Sequence, residues 1–362
     1  MANYRINMYS DTVTKPTPGM LEAIVNAELG DDMNGEDPTV NRLESMIAEM
    51  LDKESAVYAC SGTQSNQMGV ATHCRPGDEL LIASTGHIAN FEAGAPAWLS
   101  GVSCRTVSVQ HGMLDVSDLI GKVRADDQHL CRTRLVCLEN TTNAGGGRAY
   151  PLDQINRVCE WAHDHGLKTH LDGARLFNAV VASGESVADI VRHIDTISIC
   201  FSKGLGCPMG SVLVGSAEDI RRARRLRKLF GGALRQAGIV AATAVYALEN
   251  NIDRMQEDHD NAQAFAEAIA KIDGVNIEPN DVKTNLVFFT IDAELGFASQ
   301  LHNKLKERGI KIGASGPHKM RACTHLDVTR DEVLQAAIEI GEVLSEGFIE
   351  SATKPLGPFV RA

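Results

Sequence analysis

Asp172 and Lys203 each close a short apolar run, and between them they define the chemistry open to this 362-residue chain. Thr169 to Asp172 is apolar or β-branched on one parity and is stopped by Gly173, the pattern of a buried strand that hands a carboxylate to a loop. Thr196 to Phe201 repeats the pattern and hands over Ser202 and Lys203, with Gly204 and Gly206 closing the turn. Ligands of open α/β sheets bind outside the carboxyl ends of the strands, so the pair belongs in a site. A lysine that forms a Schiff base and an acid that pairs with a pyridinium nitrogen are what pyridoxal phosphate asks of a protein.

The elements around this pair are read from the same periodicities. Ala56–Cys60 reads as a strand, Ser61-Gly62-Thr63 as a tight turn and Gln64–Cys74 as a helix. Strand, glycine turn and helix N-terminus make an anion site, because unpaired N–H groups and the helix dipole both favour phosphate. Glu79–Ala83 is a further strand, and it delivers His87 through Ser84-Thr-Gly86, on the face where stacking or proton transfer would be useful. His170 and Asp172 share a strand face at i, i+2. That spacing suits a histidine orienting the aspartate better than a metal pair. Further strands at Val102–Val109, Arg134–Glu139 and Gly210–Val214, with helices at Asp115–Arg124 and Asp153–His165, give repeated βα units. The fold class that follows is α/β, a large domain built on a mostly parallel sheet. No G-x-G-x-x-G occurs, and the nearest approach, Gly204 to Gly210, precedes an apparent strand instead of a helix, which argues against nicotinamide binding.

Composition excludes several classes. A formal charge of −12 disfavours nucleic acid as a partner. The N-terminus lacks a signal-like apolar run, and Ile239–Leu248 is too short to span a bilayer, so a cytoplasmic location is the expectation. The nine cysteines are scattered without C-x-x-C pairs and read as reduced thiols, so no metal site is expected. The dense basic run Arg221–Lys228 reads as a solvated helix face. From about residue 249 the pattern changes to short strands (Asn285–Ile291, Lys319–Cys323) and helices (Ala298–Arg308, Asp331–Ser345). This sets a large domain at 1–248, N-terminal segment included, and a smaller α+β domain at 249–362, with Ser351–Ala362 as a tail.

The motifs His170-Leu-Asp172-Gly-Ala-Arg175, Ser202-Lys203-Gly204, Ser10-Asp-Thr-Val-Thr14, Gly30-Asp-Asp…Gly35-Glu-Asp-Pro38, His87-Ile-Ala-Asn-Phe91-Glu92 and Gly231-Gly-Ala-Leu-Arg235-Gln236 resemble the low-specificity L-threonine aldolases, within the fold-type I pyridoxal-phosphate enzymes. The likeness covers nearly the whole chain. It implies Lys203 as the Schiff-base lysine, Asp172 on the pyridine nitrogen, Ser61, Gly62 and Thr63 on the cofactor phosphate, and His87 against the ring. By the same resemblance Arg175 faces the cofactor's phenolic oxygen and the substrate, Phe91 lies beside the substrate, and Ser10 and Arg321 bind its carboxylate. His129 matches a histidine near the substrate hydroxyl, so either His87 or His129 is the expected base. Lys228 and Arg235 reach the active site, that of a neighbouring subunit in a homodimer or homotetramer. Two positions depart from the family pattern: Tyr9 stands where relatives usually have arginine, and Thr142 where they have histidine.

The implied reaction is retro-aldol cleavage of L-threonine, L-allo-threonine and related β-hydroxy-α-amino acids to glycine and an aldehyde. Another reaction on the same scaffold, β-elimination or transamination, is the alternative, and its products differ.

Overall fold

Seven strands pair into one sheet in the order 55–59, 211–215, 196–200, 168–173, 133–139, 79–83, 103–107. Neighbours are parallel except Ser211–Gly215, which runs antiparallel to both Ser55–Ala59 and Thr196–Cys200. The four strands Glu79–Ala83, Ser55–Ala59, Thr196–Cys200 and Ser211–Gly215 carry hardly an exposed residue, as near-continuous apolar strands covered on both faces should. The computed structural model describes residues 4–347, and the tail expected at Ser351–Ala362 lies outside them.

The described chain forms two units, Pro16–Ile252 and, by contrast with the boundary expected at 248/249, Asp253 onward together with the segment up to Lys15. The N-terminal segment joins the second unit because Ile6–Asn7 pairs in parallel with Ile310–Lys311, a contact between distant stretches that no local pattern announces. That unit holds a four-stranded antiparallel sheet in the order 313–314, 319–323, 286–291, 275–277. Helices Met255–Ile269, Ala298–Glu307 and Arg330–Glu346 add to it a core that includes Phe265, Phe289, Leu301, Met320 and Ile340.

In the large unit the amphipathic helices Pro38–Met50 and Leu152–Asp164 bury one face each, Val40, Leu43 and Ile47 in the first and Ile155, Val158 and Cys159 in the second. One expected helix is much shorter than its pattern. The run Asp115–Arg124 holds only Val116–Leu119, since a capping box at Asp115 starts it and the chain leaves the helical region at Ile120, followed by Gly121 at φ 72°. Among the described residues no helix is long and apolar enough to cross a membrane.

Candidate active site

The site in the large unit is built on a helix with an unusual inner face. Gly62–His73 buries Gln64, Ser65, Asn66, Gln67 and Thr72, polar side chains where a core helix ordinarily carries an apolar stripe. Its start is fixed by Ser61, whose hydroxyl accepts from the Gln64 N–H at 3.2 Å. Ser65 ties the first turn to the sheet through the hydroxyls of Ser198 and Ser211. The turn 61–63 therefore ends in an anchored helix of 12 residues, and a helix N-terminus favours an anion.

One turn further along, Asn66 is the centre of a buried network. Its Nδ2 donates to Asp172 Oδ2 at 2.9 Å and to Glu92 Oε1 at 2.8 Å, and its Oδ1 faces His170 Nε2 at 3.2 Å. Two carboxylates on one side leave the amide a single orientation, N–H toward the acids and oxygen toward the imidazole. His170 is fully buried, and burial holds its imidazole down to about 4, so the ring is neutral; Nε2–H donates to Asn66, and Nδ1 accepts from Thr196 Oγ1 at 2.9 Å. Histidine thus orients the aspartate, as the i, i+2 spacing predicts, but through Asn66. The helix comes this close because residue 69 is glycine: a Cβ there would lie 2.4 Å from the His170 ring.

Asp172 is 2% exposed, and its Oδ1 accepts from the Ala174 N–H at 3.1 Å. Among the described residues no lysine or arginine pairs with it, and its nearest potential cation is His87, with Nδ1 4.0 Å away. A buried carboxylate held only by neutral donors fits the proton-bearing nitrogen of a pyridinium ring. Lys203 follows the adjacent strand, half-buried, in a turn closed by a Gly206 N–H to Lys203 O bond at 2.8 Å. The close packing of the Asp172 and Lys203 strands again needs glycine, since a Cβ on Gly173 would lie 2.7 Å from Ser198 O.

His87 completes this group. Its Nδ1 is 3.0 Å from Glu92 Oε1, and its backbone N–H donates to Glu139 Oε2 at 2.8 Å. Burial pushes the imidazole down, but the Glu92 hydrogen bond and the charge of Asp172 outweigh it and raise the group above its ordinary value, with Lys203 opposing. Glu139 is pushed up by burial and then by the Asp172 charge, against the N–H groups of Asn143 and His87 that favour its ionised form. Phe91 is 39% exposed, its ring centroid 5.6 Å from that of His87. His87, Glu92 and Asp172 also bring one ligand atom each within 4.8 Å of one another, a geometry that could hold a metal ion.

The other expected residues have their own settings. Arg175 is buried, three residues beyond Asp172, and begins the helix Leu176–Ser183. His129 is on an exposed loop, its side chain 79% exposed and bonded to Asp127. Lys228 is exposed near the end of the helix Ala217–Leu229, and Arg235 pairs with Asp31 at 2.9 Å with 63% of its side chain exposed. The basic run is only partly a solvated face, because Arg227 is buried and paired with Asp32 at 2.9 Å. Thr142, where relatives have histidine, is buried and accepts from the Arg148 N–H at 3.2 Å. In the small unit Arg321 donates to the Tyr9 carbonyl at 3.2 Å, beside Ser10, and Ser10 caps a turn over Asp11–Val13. Tyr9 itself lies under Lys311, whose Nζ is 4.2 Å from the ring centroid.

Asn66, Gln67, Glu92 and Glu139 form the inner wall of the site, and the motifs assign none of them a role. The available signal is the run Gln64-Ser-Asn-Gln67, four polar residues opening a helix straight after a glycine turn.

An almost wholly parallel sheet with an acid and a lysine at the ends of adjacent strands, beside an anchored helix N-terminus, defines a fold-type I pyridoxal-phosphate enzyme. Solved structures share this fold: Leishmania major threonine aldolase has a TM-score of 0.81 at 21% identity, covering 94% of this chain and 99% of that one. Sphingomonas wittichii serine palmitoyltransferase has a TM-score of 0.73 at 17% identity, covering 93% and 86%. The beta-eliminating lyase family model matches residues 7–293. The low specificity L-threonine aldolase of Escherichia coli K12 is 41% identical over 333 residues, 92% of this chain and 97% of that protein. Low-specificity L-threonine aldolase 1 of Arabidopsis thaliana is 38% identical over 333 residues, 91% and 93%. The chain belongs to the low-specificity L-threonine aldolase family.

Proposed function

We infer that the protein cleaves L-threonine, L-allo-threonine and related β-hydroxy-α-amino acids to glycine and an aldehyde, using pyridoxal phosphate. The observation that carries this reading is the buried Asp172 carboxylate, without a lysine or arginine partner among the described residues, one strand from Lys203, in a chain of this family. When bound, the cofactor supplies an electron sink for the bond to the substrate's α-carbon. The chain's own groups do the rest. Lys203 is the covalent anchor, the turn Ser61, Gly62 and Thr63 holds the phosphate, and Asp172 keeps a proton on the ring nitrogen. Arg175, buried next to this group, faces the cofactor's phenolic oxygen and the substrate. Ser10 and Arg321 are the donors assigned to the substrate carboxylate, with Arg321 as a two-pronged clamp.

The β-hydroxyl proton is assigned to His87 Nε2. With Nδ1 committed to Glu92, the second ring nitrogen is left for the substrate, and Glu92 steadies the imidazolium that forms. His129, exposed and bonded to Asp127, shows no comparable setting. Phe91 borders the aldehyde-bearing side chain. A homodimer or homotetramer with shared active sites accords with the exposure of Leu229 at 76% and Met209 at 44%, and a cytoplasmic location belongs to the same reading. Lys228 and Arg235 are assigned to a neighbouring subunit's site.

The description of the matching family favours one other reading, β-elimination on the same residues. The products decide between the two. The visible spectrum of the purified protein is recorded before and after L-threonine is added, and acetaldehyde and glycine are assayed in the same cuvette. A band with both products supports the aldolase; a band with keto acid and ammonia moves the function to elimination; no band after added cofactor refutes the Lys203 assignment.

A further inference from the structure

The network around Asn66 does not stop at the site. Thr196 Oγ1, which donates to His170 Nδ1, also lies 3.0 Å from His73 Nε2, at the far end of the same helix. The bonds run in one sense throughout. His73 donates to Thr196, Thr196 to His170, His170 to Asn66, and Asn66 to the two acids Asp172 and Glu92. Every link except His73 is buried, so none of these groups can exchange its partner for water. The chain therefore allows each member one tautomer or rotamer. Reversing Asn66 would set its oxygen against two carboxylates and its N–H against the His170 N–H.

We propose that Asn66 is a positioning residue for the cofactor-binding acid: aimed by the chain from His73, its amide locks Asp172 to Glu92 and so sets the ring-nitrogen acid and the His87 partner as one rigid unit. The inference rests on the reading of Asp172 given above. The titratable groups facing this node are His87 and Glu92 from the 87–92 segment, Glu139 from its strand, His170 beside Asp172, and Lys203 from the next strand. None of these can replace the Asn66 amide. His170 meets it only at its oxygen, and Gln67, the other amide in reach, is bonded to Glu92 Oε2. Without Asn66, Asp172 Oδ2 loses its donor and becomes a more basic oxygen, which draws the proton off the ring nitrogen. The positive ring is what makes the lysine–cofactor linkage acidic. Weakening that charge raises the pH at which the visible band titrates.

The test is a pH titration of the visible band in holoenzyme of the wild type, Asn66→Leu, Thr196→Val and Thr72→Val. The first removes the node, and the second cuts the chain one residue beyond His170. The third removes a hydroxyl of the same helix that bonds the Met68 carbonyl, at 2.7 Å, and no other group among the described residues. The expected result is an upward shift of about one pH unit or more in Asn66→Leu and a smaller upward shift in Thr196→Val. Thr72→Val should titrate with the wild type. A visible band in Asn66→Leu that titrates at the wild-type pH overturns the proposal. If Asn66→Leu does not fold, an unshifted Thr196→Val overturns it. Absence of a band in the wild type refutes the cofactor reading itself, which separates the two failures.

Discussion

Glu92 Oε1 lies 3.0 Å from His87 Nδ1 and, on its other side, 2.8 Å from Asn66 Nδ2, so one buried carboxylate serves both the imidazole and the amide that holds Asp172. Glu92 raises His87 and fixes which ring nitrogen carries the proton. Glu92→Gln removes the charge and keeps the shape. The expected outcome is a kcat/KM lower by about tenfold or more, with the His87 titration moved to lower pH. A pH–rate profile that coincides with the wild type's would refute the role.

Lys203→Ala should leave no visible band, and a band that persists would remove Lys203 from the mechanism. Asp172→Ala answers a different question. It takes away the carboxylate that favours a charged ring nitrogen, an effect worth roughly 1–3 pK units on that nitrogen. Cofactor retention and turnover should both collapse, and near-normal turnover would refute the electron-sink role.

The sequence discloses this site unevenly, for physical reasons. Strands Glu79–Ala83 and Lys319–Cys323 fall where alternation and apolar runs place them, and Asp172 and Lys203 come at strand ends, because these are local signals. The polar helix Gly62–His73 defeats the same logic. Its buried residues make hydrogen bonds to positions 92 and 172, and nothing in a local window shows that a glutamine or asparagine faces inward. The pairing of Ile6–Asn7 with Ile310–Lys311 is hidden for the same reason. The Asp115–Arg124 run shows the opposite error, helix-like spacing that Gly121 interrupts.

Arg227 and Asp32 form an almost fully buried ion pair, their side chains 4% and 3% exposed. Burial pushes the Asp32 carboxyl up, and the Arg227 and Arg224 charges oppose this. Arg227→Met would leave the acid without its principal partner. The expected cost is ~3–5 kcal/mol of stability, read by chemical denaturation. A loss under about 1 kcal/mol would show that Asp32 is adequately solvated without it.

Acid should destabilise the fold from near neutrality. Burial holds His170 and His259 down to about 4 and also lowers His73, against an ordinary histidine value of 6.5. Between about pH 6.5 and 4 the unfolded chain binds protons that these folded positions refuse, so stability falls as pH falls through that window. His87 acts in the other direction: its contribution is full below 6.5 and is lost as pH rises through its raised value. Burial lowers His302 as well, so among the histidines four groups against one make the acid side the steeper. Thermal unfolding followed from pH 7 to 4.5 should show a steadily falling midpoint, and a flat midpoint would mean that these imidazoles are protonated in the native state.

Arg235 and Lys228 are exposed in a single chain although the family resemblance assigns them to an active site, and shared sites would reconcile the two. In a two-fold assembly where each site takes Lys203 from one chain and Arg235 from the other, two dead variants can repair each other. Lys203→Ala supplies an intact Arg235, and Arg235→Glu supplies an intact Lys203. Each variant alone should be nearly inactive. After unfolding and refolding as an equal mixture, half the dimers are mixed and each has one complete site, so about a quarter of wild-type activity should return. A mixture no more active than the sum of its parts would place Arg235 in its own subunit's site or outside the chemistry, and the exposed apolar residues Met209 and Leu229 would then need another explanation.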